Sequence, residues 1–276
     1  MEMASTMQKS PGGGKGTAAS RGSNPVQSLD RGLALLEAMA EAVEGATLTE
    51  LAQATGLAPS TAHRLLASLR DRGFAVQDAE GGVWRVGARA FGVGNAFLRG
   101  RNYVALARRT MRDLVEAGGE TVNLAVEEAG EAVYLAQAES SQMMRAFARP
   151  GARVPLHCSG VGKALLAALP VEEAERIVAV RGLPRLTERT VIDRAALIAE
   201  LARIRARGYA VDDGEHAVGL RCVAATIHDE SGRPLAALSV SGPAARIDDA
   251  RLEVLGRMVA EACVGLTVEV GGRSPD

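Results

Sequence analysis

Between Leu48 and Val86 the chain is punctuated so closely that few folds are open to it. Leu48–Thr55 reads as a short helix capped by Thr49, and Gly56-Leu57-Ala58 follows as a tight turn. Pro59 then opens a second helix, Ser60 to Arg70, where a proline in the first turn gives up no hydrogen bond. Leu65, Leu66 and Leu69 face a core, leaving Ser60, Thr61, His63, Arg64 and Ser68 on the open side. After Gly73, Phe74–Gln77 and Val83–Val86 alternate like strands around the turn Asp78–Gly82, which makes a small hairpin, or wing. Upstream, Leu29, Leu33, Leu36 and Met39 recur at helical spacing, with Ser28 as N-cap and Gly45 as terminator.

Two short helices joined by a glycine turn, the second opening on small polar and basic residues, suit insertion into a DNA major groove. Arg64 is the first choice for a base or phosphate contact. Ser60 and Thr61 at the helix start fit phosphates or base edges, and His63 fits either a phosphate or a plain surface role. Arg31 and Arg70 are placed to reach the backbone, and Arg85 on the wing to enter the minor groove. Trp84 reads as packing rather than a wedge between bases. Helix pairs of this kind also occur as plain core, and it is the added wing that favours DNA.

Charge lends this reading little help. The 276 residues carry a net charge of −1; residues 1–100 hold ten basic against nine acidic side chains, and the rest hold 22 against 24. DNA affinity must come from the placement of a few cations. Length and a 47% apolar composition allow two compact domains. No apolar run approaches the roughly 20 residues of a membrane span, and residues 1–28 lack a secretory signal. Cys158, Cys222 and Cys263 form neither a disulfide framework nor a metal-ligand spacing, so a reducing cytoplasm is expected.

The expected organisation is a flexible tail (1–25, with Lys9, Lys15 and Arg21), a winged helix-turn-helix domain (26–87), a linker helix (88–100), a second domain (101–270) and a flexible C-terminus (271–276). In the second domain Tyr103–Glu116 is helical and ends at Gly118-Gly119. Strands are expected at Thr121–Val126, Ala132–Ala138, Met144–Ala148, Val223–His228 and Pro234–Ser241, with helices at Gly160–Ala168, Val171–Val180, Asp193–Arg207 and Asp248–Val268. Strand pairs around glycine turns point to antiparallel pairing and an α+β class. No Rossmann fingerprint, P-loop or repeat is present.

The chain resembles the isocitrate lyase regulator (IclR) family. The likeness rests on Gln27–Leu33, Ser60–Leu66, Gly119-Glu120-Thr121-Val122-Asn123, Ser159–Ala164, Glu215–Ala225 and Ser239–Pro243, in order from Val26 to Val270. Within the family it is most similar to the acetate-operon, glyoxylate-bypass type, with the allantoin-utilisation type also similar. The resemblance implies a GAF-like effector domain, homodimers or homotetramers on palindromic operator DNA, and control by a small 2-oxo acid such as glyoxylate or pyruvate, with no catalytic cofactor. Cys158, Val161 and Thr226 depart from the usual pattern, and the bulk of Val161 bears on which effector fits.

A two- or three-carbon anion needs N–H and O–H donors and little room. Gly160 and Val161 open a helix, so their amides can converge on an anion, although Ser159 also reads as an ordinary N-cap. Ser239 and Ser241 point to one strand face, and Cys222 reads as a pocket residue or as a small buried hydrophobe. The resemblance places Asp212 in the pocket, either protonated or accepting a hydrogen bond from a hydrated carbonyl; the second role is the one expected. Met143, Ala146, Val154 and Leu220 are candidate apolar walls.

Two other readings compete. An enzyme would use Cys158 or Cys222 as nucleophile and His157, His216 or His228 as base, but no third, orienting group is evident. A small-molecule sensor that never touches DNA is the other. A metal site among His216, Cys222 and His228 lacks any recognised spacing.

Overall fold

The computed structural model describes residues 26–78, 82–99 and 102–274. The expected tail, the tip of the wing turn and the last two residues lie outside the described residues. The chain divides into two compact units between Ala96 and Phe97.

The first unit runs α1 (Gln27–Glu41), β1 (Ala46–Thr47), α2 (Leu48–Thr55), α3 (Pro59–Asp71), β2 (Ala75–Gln77), β3 (Val83–Val86) and the greater part of α4 (Ala88–Arg99), which crosses the boundary. Its small antiparallel sheet has the order β1-β3-β2, so β1 lines up beside the wing. Leu35, Met39, Leu51, Ala62, Leu66 and Trp84 make the core, which uses one stripe from each of three helices plus the wing tryptophan. Gly56 adopts φ 66°, a left-handed cap that stops α2 and swings the chain into α3. Pro59 occupies the first turn of α3 as expected.

Two caps differ from the sequence reading. The N-cap of α2 is Thr47, not Thr49: its Oγ1 accepts from the Glu50 N–H at 3.3 Å, and the Glu50 carboxylate accepts from the Thr47 N–H at 2.8 Å. That reciprocal pair needs threonine and glutamate three apart, which only Thr47 satisfies. Helix α1 starts at Gln27 with Val26 as N-cap and no side-chain cap bond, so Ser28 does not cap it.

The second unit contains α5 (Asn102–Gly118), β4 (Thr121–Glu128), β5 (Glu131–Ala138), β6 (Arg153–Pro155), α6 (Gly160–Ala168), α7 (Val171–Arg181), α8 (Arg194–Arg207), β7 (Ala210–Asp213), β8 (Leu220–His228), β9 (Pro234–Pro243) and α9 (Asp249–Glu269). The strands form one antiparallel sheet in the order β6-β5-β4-β9-β8-β7. Period-two alternation divides its side chains between two cores. Val122, Leu124, Val223, Leu238 and Val240 pack under α5 and α9; Ala125, Ala210, Ala224 and Ala237 lie under α6, α7 and α8. The alanines on the second face let α6 approach closely. Arg246 clamps the start of β4 through two 2.7 Å bonds to the buried Glu120 carboxylate.

The expected strand Met144–Ala148 is absent; that stretch is irregular, and β6 pairs with β5 further on, after the Pro150-Gly151 turn. Its alternation finds no facing strand, and Met143, Met144 and Phe147 stay exposed. Strand β7 was not expected from sequence, being four residues long and half acidic.

Candidate functional site

In the first unit, α3 buries Ala62 and Leu66, and the opposite side presents Ser60, His63 and Arg64 to solvent; Thr61 is half-buried. Among the described residues Arg64 forms no ion pair, and the Ser68 hydroxyl folds back onto the Arg64 carbonyl at 3.1 Å. Arg70 lies 5.9 Å from the Trp84 ring centroid and 3.5 Å from Asp71, so it is partly committed within the unit. Arg85 on the wing stands 3.6 Å from Asp78, in an exposed pair that a phosphate can displace. Trp84 is fully buried, as the packing role requires. Arg31 is half-buried on α1.

In the second unit, strand pairing brings together residues far apart in sequence. Asp212 faces Cys222, Cys222 faces Ser241, and Ser241 faces Thr121, so four polar residues cross four strands in one row. The next row runs Ala210, Ala224, Ser239, Asn123, and the one after it is apolar at Ala237 and Ala125. A polar patch thus occupies one end of this face, and further along Thr226 pairs with Ala237 and donates its hydroxyl proton to the Ala164 carbonyl of α6.

Helix α6 is seated over this patch. A Cβ added at Gly160 would lie 2.6 Å from the Cys222 sulfur and 3.6 Å from the Ala224 Cβ, so only glycine lets the helix start there. Ser159 is the N-cap, its Oγ accepting from the Gly162 N–H at 3.2 Å, and the first backbone bond runs from Lys163 N–H to the Ser159 carbonyl. Cap and anion cradle are compatible roles, because the Gly160 and Val161 amides precede that bond and have no intrahelical acceptor. Ser239 Oγ is fully buried and has no hydrogen-bond partner. Val161 and Val154 are buried, and Leu220 and Ala146 are half-buried. Met143, also expected in the wall, is 98% exposed on the irregular segment between β5 and β6.

Sequence reasoning missed the charges behind the patch. Lys163 is 1% exposed and ion-paired to Glu215, whose Oε2 is buried without a partner. Glu215 and His216 in turn donate backbone N–H bonds to Asp212 Oδ1 at 2.8 and 3.3 Å. Thr190 Oγ donates to the Glu215 carbonyl at 2.7 Å, and Thr187 Oγ to the Gly214 carbonyl at 2.7 Å, tying the 183–190 loop over this turn. Burial, together with the Glu215 charge, raises Asp212 to about 7 despite the amide bonds and Lys163 that oppose it. Burial, with Cys222 and Asp212 adding to it, also raises Tyr134.

A nucleophilic role for cysteine finds no support here. Burial pushes Cys158 and Cys222 up to about 12, so both are neutral thiols at physiological pH. Burial lowers His157, His216 and His228, and His157 Nε2 lies 3.1 Å from the Pro184 carbonyl rather than beside a thiol. Among the described residues no group of three or more His, Cys, Asp or Glu could hold a metal ion, and no helix is long and apolar enough to cross a membrane.

Gly160→Ala is expected to push α6 off β8 and cost about 1–3 kcal/mol of stability by overpacking.

Comparison with known proteins agrees with both halves. Residues 28–79 match the IclR helix-turn-helix domain, and residues 95–266 match the bacterial transcriptional regulator IclR C-terminal domain. The chain is 47% identical over 249 residues to the acetate operon repressor of Salmonella typhimurium, covering 90% of this chain and 91% of that protein. It is 45% identical to the transcriptional repressor IclR of Escherichia coli at the same coverage. An IclR homologue from Microbacterium hydrocarbonoxydans, solved in complex with 4-hydroxybenzoate, superposes with a TM-score of 0.74 at 28% identity, covering 88% of this chain and 98% of that one. These relatives are regulators, not enzymes. The chain belongs to the IclR family of bacterial transcriptional regulators.

Proposed function

We propose that this chain represses metabolic genes of the acetate or glyoxylate-bypass type, and that a small 2-oxo acid, glyoxylate or pyruvate, modulates its grip on operator DNA. The observation that carries the effector half is the start of α6, glycine-tight on Cys222 beside the Asp212–Cys222–Ser241 row. It offers amide donors, hydroxyls and one titratable acid within the reach of a two- or three-carbon ligand. The identity to two named repressors supports the genetic role. On the DNA side, Ser60, Thr61, His63 and Arg64 read the operator, with Arg31, Arg70 and Arg85 on its phosphates or in the minor groove. Exposed Leu29 and Leu33 on α1 and Phe91 on α4 supply apolar surface for pairing two copies, in line with a homodimer or homotetramer.

Asp212 acts here as an acid that donates to the anion. The sequence suggested an ionised acceptor for a hydrated carbonyl, but burial already holds this carboxyl near 7, and a bound anion raises it further. Proton uptake therefore accompanies binding. Affinity is full below about pH 7 and falls as pH rises beyond it, by at most about tenfold per unit. Calorimetric titration of glyoxylate, pyruvate and 4-hydroxybenzoate across neutral pH tests this. The expected result is 2-oxo-acid binding that weakens above pH 7 in wild type and is flat in Asp212→Asn, whose amide keeps a donor. Binding of 4-hydroxybenzoate alone would overturn the effector class, and pH-independent wild-type binding would overturn the role of Asp212.

A further inference from the structure

The motif Gly119-Glu120-Thr121-Val122-Asn123 carries no role in the function just described, yet it places Asn123 within the polar patch. We infer that Asn123, oriented by Gln137, is a donor of the effector site and helps to decide which anion it accepts. This rests on reading that face as the 2-oxo-acid site.

Three observations support it. Asn123 is 2% exposed and sits directly opposite Ser239 on the neighbouring strand, whose hydroxyl is buried without a partner. Directly opposed residues of an antiparallel pair hold their Cβ atoms about 5 Å apart, so one small ligand can touch both. The Asn123 amide is also only half used. Gln137 Nε2 donates to its Oδ1 at 2.9 Å, while its Nδ2 has no hydrogen-bond partner among the described residues. An asparagine present only to fill a sheet interior would have both ends of its amide engaged.

The position fits as well. The α6 start touches Cys222 and Ala224 on β8; β9, carrying Ser239, is the next strand, and β4, carrying Asn123, is the one after. With strands about 4.8 Å apart, a ligand centred over Ser239 meets the α6 amides on one side and the Asn123 amide on the other. The donor Gln137 fixes which way the amide turns. Because Gln137 gives a proton to Oδ1, the NH2 group is the end left for the ligand.

Two near-isosteric changes test this in the full-length protein, with glyoxylate and pyruvate as probes in calorimetry. Asn123→Leu removes the donor. Gln137→Glu replaces the proton given to Oδ1 with an acceptor, so the Asn123 amide turns and shows its oxygen to the anion. Both should weaken 2-oxo-acid binding by roughly tenfold or more. The unliganded melting temperature of Gln137→Glu and its affinity for DNA should match wild type, which a purely structural role would not allow together with lost ligand affinity. Wild-type-like ligand binding in both variants overturns the inference and leaves the 2-oxo-acid reading intact. Loss in Asn123→Leu alone overturns the orienting role of Gln137. A wild-type protein that binds neither probe at millimolar concentration overturns the reading of the site and this inference with it.

Discussion

Lys163→Met lowers the stability of the second unit by about 3–5 kcal/mol, the usual consequence of stranding one partner of a buried ion pair. Lys163 is 1% exposed, and its ammonium meets the carboxylate of Glu215, which is itself buried and has an oxygen with no other partner. Without the lysine, Glu215 must either stay charged in an apolar setting or take up a proton. Burial already raises its pKa even with Lys163 present. The loss is therefore largest at alkaline pH and shrinks as the pH falls, since protonation then relieves it. A thermal melt should fall by about 6 °C or more at the top of that range. Lys163→Met combined with Glu215→Leu should recover most of the loss, because an apolar pair of similar volume strands no charge. A single variant as stable as wild type at every pH would show that the pair lies in a wetter setting than its burial indicates. The pair is also tied to Asp212, since the Glu215 amide donates to its carboxylate while the Glu215 carbonyl accepts from Thr190.

Arg64→Ala weakens specific operator binding by about tenfold to a hundredfold, the range for a bidentate arginine–guanine contact of about 1–3 kcal/mol. Arg64 projects from the exposed side of α3 and forms no ion pair among the described residues, so no internal ion pair has to break before it meets a partner. The loss should be confined to the operator, with little change on unrelated DNA. If weakening is instead equal on all sequences and the salt slope drops by about one, Arg64 touches a phosphate and not a base. A gel-shift titration on both DNAs at two salt concentrations separates these cases, and unchanged affinity on both removes Arg64 from the interface.

The N-terminal unit was legible because its signals are local. Gly56, Pro59 and the alternation of Val83–Val86 each fix the backbone within a few residues, and the structure keeps them all. The misplaced cap was also a local matter, since Thr47 and Glu50 stand at capping-box spacing and Thr49 has no acid three residues on. The second unit hid more because its site is made by strand neighbours. Asp212 and Cys222 are ten residues apart, whereas Asn123 and Ser239 are joined only because β9 runs between β4 and β8. No periodicity announces that order. Lys163 looks on paper like one more helix cation, and only its burial opposite Glu215 sets it apart. Met143 stands exposed on the irregular 139–152 segment, whose course no periodicity announces.

The central claim, a DNA-binding regulator switched by a small 2-oxo acid, is tested most directly by one titration. Full-length protein is added to a genomic fragment enriched by binding to it and to a scrambled duplex of equal length, with and without glyoxylate or pyruvate. Binding should be tighter on the natural sequence, should weaken steeply with salt, and should change by about fivefold or more when the 2-oxo acid is present. Equal affinity for the two duplexes, or operator affinity indifferent to a 2-oxo acid that calorimetry shows to be bound, would contradict the account.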